Sequence, residues 1–277
     1  MVKARNGVFL YIVFAVMAVF VAGGYFFIEE EPAAYETAIH KMQYQVGYHE
    51  VYYIDANGAF STTTAAQSDA VSSKVVYLTF DDGPSMRTVE ILDILKEYGI
   101  KATFFILCDE KESSKEIIRR IYDEGHSIGV HSCSHDYEKI YHDVKSFLDD
   151  FEGCLEYIKD VTGEETGIFR FPGGSVNSYN KKICRELTDE MTRRGFTYFD
   201  WNVSSDDAVK GYTEESIYNN VINGCNKHNI SVVLMHDSTP KNATVAALKR
   251  IIPALLEQGY TFERLDETAQ PTVFKIE

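Results

Sequence analysis

Basic residues are scarce in this sequence of 277 residues. Lys and Arg number 27 against 42 Asp and Glu, which gives a formal net charge of −15 and an isoelectric point near 5.0. Proteins that bind nucleic acid present a basic face to the phosphate backbone. The charge balance therefore excludes nucleic acid as a partner and indicates a solvated acidic surface. The hydrophobic share of 45% fits a globular domain with additional segments.

Cysteine is also infrequent, and its spacing matches no metal or redox motif. Neither a CxxC pair nor the spacing of a zinc finger occurs among the five cysteines, Cys108, Cys133, Cys154, Cys184 and Cys225. We therefore expect them to be mostly small buried side chains. Their odd number leaves at least one thiol unpaired in a monomer. A disulfide stays open as an alternative if the domain is exported to an oxidising compartment.

One uncharged stretch near the N-terminus is long enough to cross a membrane. The run Val8–Ile28 contains no charged residue, and its length suffices for a hydrocarbon core of about 30 Å. Lys3 and Arg5 precede it, and Glu29–Glu31 follow it. This charge order predicts a cytoplasmic tail at residues 1–7, a single-pass anchor in the cell membrane and a body outside the cell. The alternative is a cleaved signal peptide, which would leave a secreted protein.

A mixed segment, residues 29–73, separates the predicted anchor from the rest of the chain. We expect it to be an extracytoplasmic stalk, because Ala56–Ser73 is rich in Ala, Ser and Thr. Tyr44–Ile54 alternates aromatic and apolar residues, which is typical of a strand, but its place in the fold is open. Residues 74–277 are the predicted catalytic domain.

From residue 74 onward, short apolar runs alternate with stretches of helical periodicity. The predicted strands are Val75–Phe80, Thr103–Leu107, Ser127–His131, Ile168–Phe171, Phe196–Val203, Ser231–His236 and Tyr260–Leu265. The predicted helices are Thr88–Tyr98, Ser114–Asp123, Asp143–Asp160, Lys181–Arg194, Glu214–Lys227 and Ala243–Leu256. This alternation predicts an α/β fold with parallel strands, in an incomplete or distorted (β/α) barrel or, alternatively, a doubly wound open sheet. Pro253 lies inside the last helical pattern and is expected to kink that helix or end it early.

Polar side chains collect where these apolar strands end. Asp81 and Asp82 follow the first strand directly, and the turn pair Gly83-Pro84 comes next. Other polar residues in or just after strands are His131, His135, Arg170, Asp206, Asp207, His236 and Asp237. Because the carboxyl ends of parallel strands lie on one face, these acids, imidazoles and the arginine are predicted to converge there.

Two of these histidines have the spacing of metal ligands. His131 and His135 lie four residues apart and can face one metal ion, although eight histidines can give such a pair by chance. With a carboxylate from another strand they would form a site of two His and one acid, which leaves positions open for water and substrate. Catalytic zinc and the non-haem iron of oxygenases both use such a set, so the ligands alone do not separate the two metals.

As a set, these motifs resemble those of the polysaccharide deacetylases of carbohydrate esterase family 4, the NodB-homology domain. The resemblance covers about Lys74 to Leu265. Its motifs, in the family's order, are Thr79-Phe80-Asp81-Asp82-Gly83-Pro84, His131-Ser132-Cys133-Ser134-His135, Arg170-Phe171-Pro172 and Leu234-Met235-His236. The resemblance implies a distorted (β/α)7 barrel of the NodB type, in agreement with the seven predicted strands.

The resemblance also implies a division of roles among these residues. Asp81 would be the general base, and Asp82 would bind a divalent metal together with His131 and His135. The metal implied is zinc, with cobalt or nickel as alternatives. His236 would be the general acid that protonates the leaving amine.

Supporting roles follow for residues near these groups. By resemblance, Arg170 would hold the base in place, and Leu234 would line the pocket for the acetyl methyl group. Asp207 could raise the basicity of His236 by pairing with it, and the backbone N–H of Gly173 could stabilise the oxyanion. The predicted substrate-binding residues are therefore Pro172, Gly173, Trp201 and Leu234.

The sequence departs from the family pattern at two motifs. Gly173-Gly174 stand where an aromatic side chain often follows the proline, which predicts that one wall of the substrate groove is open. In the fourth motif, Ser204 stands where an acid is common and Ala208 where an aromatic residue is common. Cys133 lies at a position that the metal motif leaves free, so we do not expect it to be a ligand, and Ser132 is expected to hydrogen-bond the ligand loop.

The sequence therefore predicts a membrane-anchored, metal-dependent hydrolase that removes acetyl groups from the N-acetylated sugars of an extracellular polysaccharide. The predicted anchor points to the cell's own wall, and hence to peptidoglycan N-acetylglucosamine. Two alternatives stay open. One is an O-acetyl esterase acting on xylan or wall sugars, and the other is a non-catalytic glycan-binding or sensor protein with the same fold.

Overall fold

The computed structural model describes residues 53–54, 60–61 and 74–276. The chain divides into two compact units, Met1–Asp69 and Ala70–Glu277. In the first unit, strands β1 (Tyr53–Ile54) and β2 (Phe60–Ser61) pair in antiparallel fashion. The predicted anchor and most of the predicted strand before residue 54 lie outside the described residues. Within the described ranges, no helix has the length and apolar character needed to cross a membrane.

Strands and helices alternate along the second unit. Its strands are β3 (Lys74–Gly83), β4 (Thr103–Leu107), β5 (Ser127–Ser132), β6 (Ile168–Phe169), β7 (Thr197–Tyr198), β8 (Val203–Ser204), β9 (Ile230–His236) and β10 (Tyr260–Glu263). Its helices are α1 (Met86–Tyr98), α2 (Glu112–Asp123), α3 (Tyr137–Ile140), α4 (Val144–Thr162), α5 (Cys184–Arg193), α6 (Glu214–Cys225) and α7 (Asn242–Glu257). The predicted α/β alternation is confirmed.

The sheet of this unit is parallel throughout and curled. Its order is β7-β6-β5-β4-β3-β9-β8, and β10 pairs with the first half of β3. Only residues 199–202 join the two edge strands, β7 and β8. A chain of that length spans at most about 18 Å, whereas seven flat strands would hold their edges about 29 Å apart. The sheet must therefore curl into a half-barrel. This agrees with the predicted distorted barrel and not with the alternative, an open doubly wound sheet.

The predicted fifth strand, Phe196–Val203, is not continuous, so the sheet has eight strands instead of seven. Its two ends form β7 and β8, which lie at opposite edges of the sheet. Between them, the carbonyl groups of Phe199 and Asp200 accept hydrogen bonds from the side chain of Arg170. The prediction of one continuous strand is wrong. The Phe199 N–H still bonds β6 and the Asn202 N–H bonds β9, but the carbonyl groups between them bind a buried guanidinium, so the chain passes from one edge of the sheet to the other.

Helix α1 begins directly after the turn that follows the two aspartates. It starts at Met86, two residues before the predicted Thr88, because Ser85 caps it. The Ser85 hydroxyl accepts the Arg87 N–H at 2.9 Å, and the Thr88 hydroxyl accepts the Ser85 N–H at 2.8 Å. This capping box satisfies backbone donors that a helix start leaves free.

Helix α7 continues through Pro253 and ends at Glu257. Of the two effects expected of Pro253, a kink or an early end, the early end does not occur. Pro253 has no backbone N–H, so the carbonyl group of Lys249, four residues earlier, has no helical hydrogen-bond donor. Lys249 lies on the exposed side of the helix, where water can hydrogen-bond that carbonyl group.

Both faces of the curled sheet are buried. The outer face packs against the helices in the main core. The inner face encloses a smaller cluster made of Phe105, Ile168, Phe199, Val232 and Leu265. Phe104 and Ile106 belong to the outer core and Phe105 to the inner cluster, because side chains alternate along a strand. Burial on both faces explains the continuous apolar runs in the sequence.

Candidate active site and metal centre

The carboxyl ends of β3, β5 and β9 bring the predicted site residues to one edge of the sheet. In the parallel register of β3 and β9, Asp81 lies directly opposite His236. Strand β3 lies between β4 and β9, so its end is flanked by groups from both sides. The topology thus assembles the acids and imidazoles from segments far apart in the sequence.

A backbone irregularity turns the two adjacent aspartates towards different partners. The register of β3 with β4 shifts between Asp81 and Gly83, and Asp82 adopts a left-handed φ of 72°. A bulge of this kind re-aims a side chain at the end of a strand. Asp81 is 3% exposed, whereas Asp82 is only partly buried. Two neighbouring carboxylates can therefore serve different chemistry.

Asp82, His131 and His135 form a group that can hold a metal ion. Their ligand atoms all lie within 4.8 Å of one another. Asp82 Oδ1 is 3.5 Å from His131 Nε2 and 3.2 Å from His135 Nε2. This buried oxygen has no hydrogen-bond partner among the described residues, an arrangement that is costly unless a cation or proton completes it. Two imidazole nitrogens and one carboxylate oxygen fit a divalent metal such as zinc.

The surroundings of His131 fix its tautomer and its charge. Its Nδ1 lies 2.8 Å from the carbonyl oxygen of Arg170. Nδ1 therefore carries the proton and donates it to that oxygen, and Nε2 keeps its lone pair towards Asp82. Burial lowers the pKa of His131 to about 3, although the charge of Asp82 opposes the shift. The neutral imidazole is the form that binds metal ions.

Helix α4 holds the loop that carries the second histidine. Asp150 on α4 accepts hydrogen bonds from the Ser132 hydroxyl at 2.5 Å and from the backbone N–H groups of Cys133 and Ser134, both at 2.9 Å. The Ser132 hydroxyl in turn accepts the N–H of His135 at 2.9 Å. Ser132 thus supports the loop as expected, and it does so through a carboxylate on a neighbouring helix.

A disulfide ties the same loop to the end of β4. Cys133 is bonded to Cys108, which follows the last residue of β4. The three other cysteines are buried and free, as the sequence predicted for most of them: Cys154, Cys184 and Cys225. The sulfur of Cys133 is therefore occupied by the bridge and is not a thiolate ligand.

Asp81 lies against a buried arginine. Arg170 Nη1 donates to Asp81 Oδ1 at 2.9 Å, and both side chains are almost fully buried. Burial raises the pKa of Asp81 above its ordinary value, while the charges of Arg170 and His236 act against this shift. The other oxygen, Asp81 Oδ2, is 3.9 Å from His131 Nε2. One oxygen of the carboxylate is thus held, and the other faces the candidate metal position.

Every side-chain nitrogen of Arg170 has a hydrogen-bond acceptor. Nη1 also donates to the Thr79 hydroxyl at 2.6 Å. Nε donates to the Phe199 carbonyl at 2.8 Å, and Nη2 donates to the Asp200 carbonyl at 3.1 Å. The guanidinium also lies over the Phe105 ring, 4.4 Å from its centroid. These contacts hold the cation in one orientation towards the carboxylate.

The partly buried His236 pairs with the buried Asp207. His236 Nδ1 is 2.6 Å from Asp207 Oδ1, and the His236 N–H donates to Asp207 Oδ2 at 2.9 Å. The Thr244 hydroxyl donates to Asp207 Oδ2 at 2.8 Å, and Lys241 Nζ donates to the backbone carbonyl of Asp207 at 2.7 Å. Burial acts to lower the pKa of His236, but the bond to Asp207 and the nearby carboxylates raise it above its ordinary value. The pair therefore favours a protonated imidazole whose Nε2 is free to donate.

The predicted substrate-binding residues lie around these groups. Leu234 is 8% exposed and precedes the catalytic end of β9. Gly173 is exposed directly after the buried Pro172. Trp201 is partly exposed between β7 and β8, and its ring centroid is 4.9 Å from that of Phe274. Phe274 comes from the C-terminal tail, and no pattern in the sequence connects that tail with this site.

The groove wall at Gly173-Gly174 is not open, and that expectation is wrong. A β-carbon added to Gly173 would lie 2.8 Å from the ring of Tyr137, and one added to Gly174 would lie 2.6 Å from the ring of Phe274. Both glycines also have left-handed φ angles, 74° and 87°, which favour glycine. Aromatic rings from distant segments therefore fill the space beside these two glycines.

Sequence reasoning missed several residues that support the site. They are Thr79, Tyr137, Asp150, Asp200, Lys241 and Thr244. Asp150 could have been found, because it lies three residues after Phe147 and four before Cys154, both on the buried face of α4. Asp200 accepts hydrogen bonds from Ser175 and from the Phe274 N–H, which no local sequence pattern indicates.

Known proteins are similar to this chain in sequence and in fold. Residues 68–191 match the family model for polysaccharide deacetylase. The chain is 31% identical over 210 residues to a peptidoglycan-N-acetylglucosamine deacetylase of Bacillus cereus, with 74% of each chain covered. It is 29% identical over 196 residues to a peptidoglycan-N-acetylmuramic acid deacetylase of Bacillus subtilis, covering 70% of this chain and 71% of the relative.

A solved structure is also similar, the catalytic domain of a peptidoglycan N-acetylglucosamine deacetylase from Eubacterium rectale. Its TM-score is 0.70 at 40% sequence identity, and the match covers 74% of this chain and 94% of that chain. The motifs, the curled parallel sheet and these similarities agree. The chain therefore belongs to the polysaccharide deacetylase family, carbohydrate esterase family 4.

Proposed function

We propose that this protein is a metal-dependent hydrolase that removes the acetyl group from N-acetylglucosamine in peptidoglycan. The observation that carries the proposal is that two adjacent carboxylates have different partners. Asp82 faces His131 and His135 at 3.5 and 3.2 Å, whereas Asp81 is paired with Arg170 at 2.9 Å. One carboxylate can therefore hold a cation while the other moves a proton.

The metal would be held by Asp82, His131 and His135. A divalent ion bound there would polarise the acetyl carbonyl group and lower the pKa of a water molecule beside it. We propose zinc, because two imidazoles and one carboxylate match its usual catalytic donors. Cobalt or nickel could be held by the same donors.

Asp81 is proposed to take the proton from the attacking water. The proton would go to Oδ2, because Arg170 holds Oδ1. Burial raises the pKa of Asp81, which makes the carboxylate a stronger base than an exposed aspartate. Its distance of 3.9 Å from His131 Nε2 keeps the base next to the candidate metal position.

His236 is proposed to protonate the sugar nitrogen, which leaves only as a neutral amine. Asp207 orients the ring through Nδ1 and contributes to its raised pKa, so the imidazolium persists to higher pH than an isolated histidine. The register of β3 and β9 sets Asp81 opposite His236. A base and an acid on neighbouring strands can therefore serve one acetamide group.

The acetyl group is proposed to lie between Leu234 and the backbone of Gly173. Leu234 offers an apolar contact to the methyl group. The N–H of the exposed Gly173 would donate to the oxygen that becomes negative during attack. Trp201 and Pro172 would border the sugar.

We further propose that the domain works outside the cell, anchored by residues 8–28. The uncharged run with basic residues before it and acidic residues after it supports this orientation. Two relatives carry names that refer to peptidoglycan sugars, one to N-acetylglucosamine and one to N-acetylmuramic acid. They support a wall glycan as the substrate.

The test is to incubate the purified protein and zinc with peptidoglycan and to measure both acetate and new free amine. We expect the two products in equal amounts. Acetate without amine would instead identify an O-acetyl esterase. Release of neither product with zinc, cobalt or nickel would identify a non-catalytic glycan-binding protein.

Substitutions of the adjacent acids test the division of roles. Asp82→Asn should lose bound metal, whereas Asp81→Asn should keep it and lose turnover by about 10²- to 10⁴-fold. Asp206→Asn is the matched control, because Asp206 is an exposed acid, and it should retain both properties. Equal loss of metal in both active-site variants would contradict the assignment.

A further inference from the structure

An exposed aromatic side chain, Tyr179, lies close to the proposed site without a part in the reaction. It is 54% exposed. Its ring centroid is 5.0 Å from that of Tyr137, whose centroid is 5.2 Å from that of His135. The three rings form a continuous row that leads from a candidate metal ligand out to solvent.

Tyr137, the middle ring, borders the space where the acetylated sugar must lie. It packs on the backbone of Gly173, where an added β-carbon would come within 2.8 Å of its ring and 3.0 Å of its hydroxyl oxygen. The ring therefore lies between the candidate metal ligand His135 and Gly173, the proposed oxyanion donor.

The loop that carries Tyr179 is held in place by asparagine side chains. Asn177 Oδ1 accepts the N–H groups of Tyr179 at 2.8 Å and of Asn180 at 3.0 Å. Asn177 Nδ2 donates to the carbonyl groups of Pro172 and Gly174, both at 3.1 Å. The outer tyrosine is thus fixed to the segment that forms the groove wall, so binding there would lose little conformational entropy.

We infer that Tyr137 and Tyr179 form a stacking platform for the sugar that adjoins the acetylated residue in a glycan chain. A pyranose presents an apolar C–H face, which can stack on the face of an aromatic ring. The platform therefore fits a glycan chain of at least two hexosamine sugars. The inference rests on the proposed function, which sets the acetylated sugar beside His135.

A role in folding does not account for both tyrosines. Tyr137 packs against the core and against Tyr141, with ring centroids 6.0 Å apart, so its removal would also affect stability. Tyr179 leaves more than half of its surface in solvent and contacts the ring of Tyr137, so folding does not require this aromatic surface and a sugar can reach it. Tyr179 is therefore the residue on which the inference is tested.

The experiment compares Tyr179→Ala, Tyr179→Phe and Tyr122→Ala in the full-length protein with zinc. Tyr122 is the matched control, a 42% exposed tyrosine on α2. Acetate release from N-acetylglucosamine monomer and tetramer gives kcat and KM. Calorimetry in an Asp81→Asn background gives Kd without turnover. For the tetramer, Tyr179→Ala should raise KM and Kd about three- to tenfold with kcat nearly unchanged. Tyr179→Phe and Tyr122→Ala should resemble the parent.

The monomer has no neighbouring sugar, so its KM should not change in Tyr179→Ala. Comparison with the tetramer therefore distinguishes binding of the neighbouring sugar from binding of the reacting sugar. An unchanged KM and Kd for the tetramer would overturn the platform even if acetate is released. An equal effect on monomer and tetramer would also overturn it, as would the absence of any glycan binding. Binding that depends on Tyr179 without acetate release would overturn the proposed reaction and leave the platform in place.

Discussion

Replacing Arg170 with methionine would show how much Arg170 offsets the cost of burying the charge of Asp81, measured as a change in the free energy of unfolding. Methionine fills much of the same space without a charge. The variant would leave Asp81 buried without a cation, at 3% exposure. It would also remove the donors to the Thr79 hydroxyl and to the carbonyl groups of Phe199 and Asp200. Both effects should lower the free energy of unfolding.

The expected loss is large compared with the stability of a domain. Removing one partner of a buried ion pair costs about 3–5 kcal/mol, against a total of about 5–15 kcal/mol. Adding Asp81→Asn to Arg170→Met removes the uncompensated charge, so the double variant should recover about 1–3 kcal/mol of that loss. The remainder belongs to the carbonyl and hydroxyl groups that lost their donors.

The loss should also depend on pH, with a definite sign. The pKa of Asp81 in the folded protein is already above its ordinary value because of burial, and removal of Arg170 takes away a charge that opposes this rise. The folded variant therefore binds a proton more readily than the unfolded chain does. Its stability should be greatest at low pH and should be lost as the pH rises through the pKa of the buried carboxyl group.

Urea unfolding at several pH values, followed by the fluorescence of Trp201, the single tryptophan, measures these differences. Arg250→Met is the control, because Arg250 pairs with Glu214 and Glu215 at the surface of α7. Its unfolding midpoint should stay close to that of the wild type. The reasoning would be refuted if Arg170→Met and the double variant lost equal free energy of unfolding relative to the wild type. It would also be refuted if the loss in Arg170→Met became smaller as the pH rises.

Two further predictions concern the acid and the metal loop. Asp207→Asn removes the charge that helps to raise the pKa of His236, so the alkaline limb of the kcat profile should move to lower pH. Acetate release across pH tests this, and an unmoved limb would contradict it. Reduction of the Cys108–Cys133 bridge should weaken zinc binding about 10- to 100-fold, as measured by competition with a chelating dye. A variant with serine at positions 108 and 133 should bind zinc equally weakly with or without reductant. Wild-type zinc affinity in that variant would contradict the prediction.

The strands that carry the site could be predicted because they are apolar on both faces. Val75–Phe80 lies inside β3, and Thr103–Leu107 coincides with β4. Alternating strands and helices then imply a parallel sheet, and a parallel sheet implies that the carboxyl ends of its strands meet. Asp81 and His236 could for this reason be assigned to one site although their segments are far apart in the sequence.

The remaining features depend on contacts that sequence patterns do not contain. Residues 199–202 have the pattern of the middle of a strand, yet the carbonyl groups of Phe199 and Asp200 bind the guanidinium of Arg170, the residue after β6. Gly173-Gly174 suggest an empty wall, yet the rings beside them come from Tyr137 and Phe274. Periodicity and propensity are local signals, and tertiary contacts of this kind override them.

The central position of β3 has a consequence for the order of folding. The Thr79 hydroxyl binds the carbonyl group of Val233, a residue 154 positions later, and β10 joins β3 later still along the chain. During synthesis, the edge of β3 that pairs with β9 therefore waits with unpaired backbone groups, and so does the first half of the opposite edge, which pairs with β10. Closing such distant contacts is slow, and the waiting edge is prone to aggregation. The two acids at the end of β3 thus lack the neighbouring His236 until β9 has been synthesised, and a nascent chain would need protection of that edge until then.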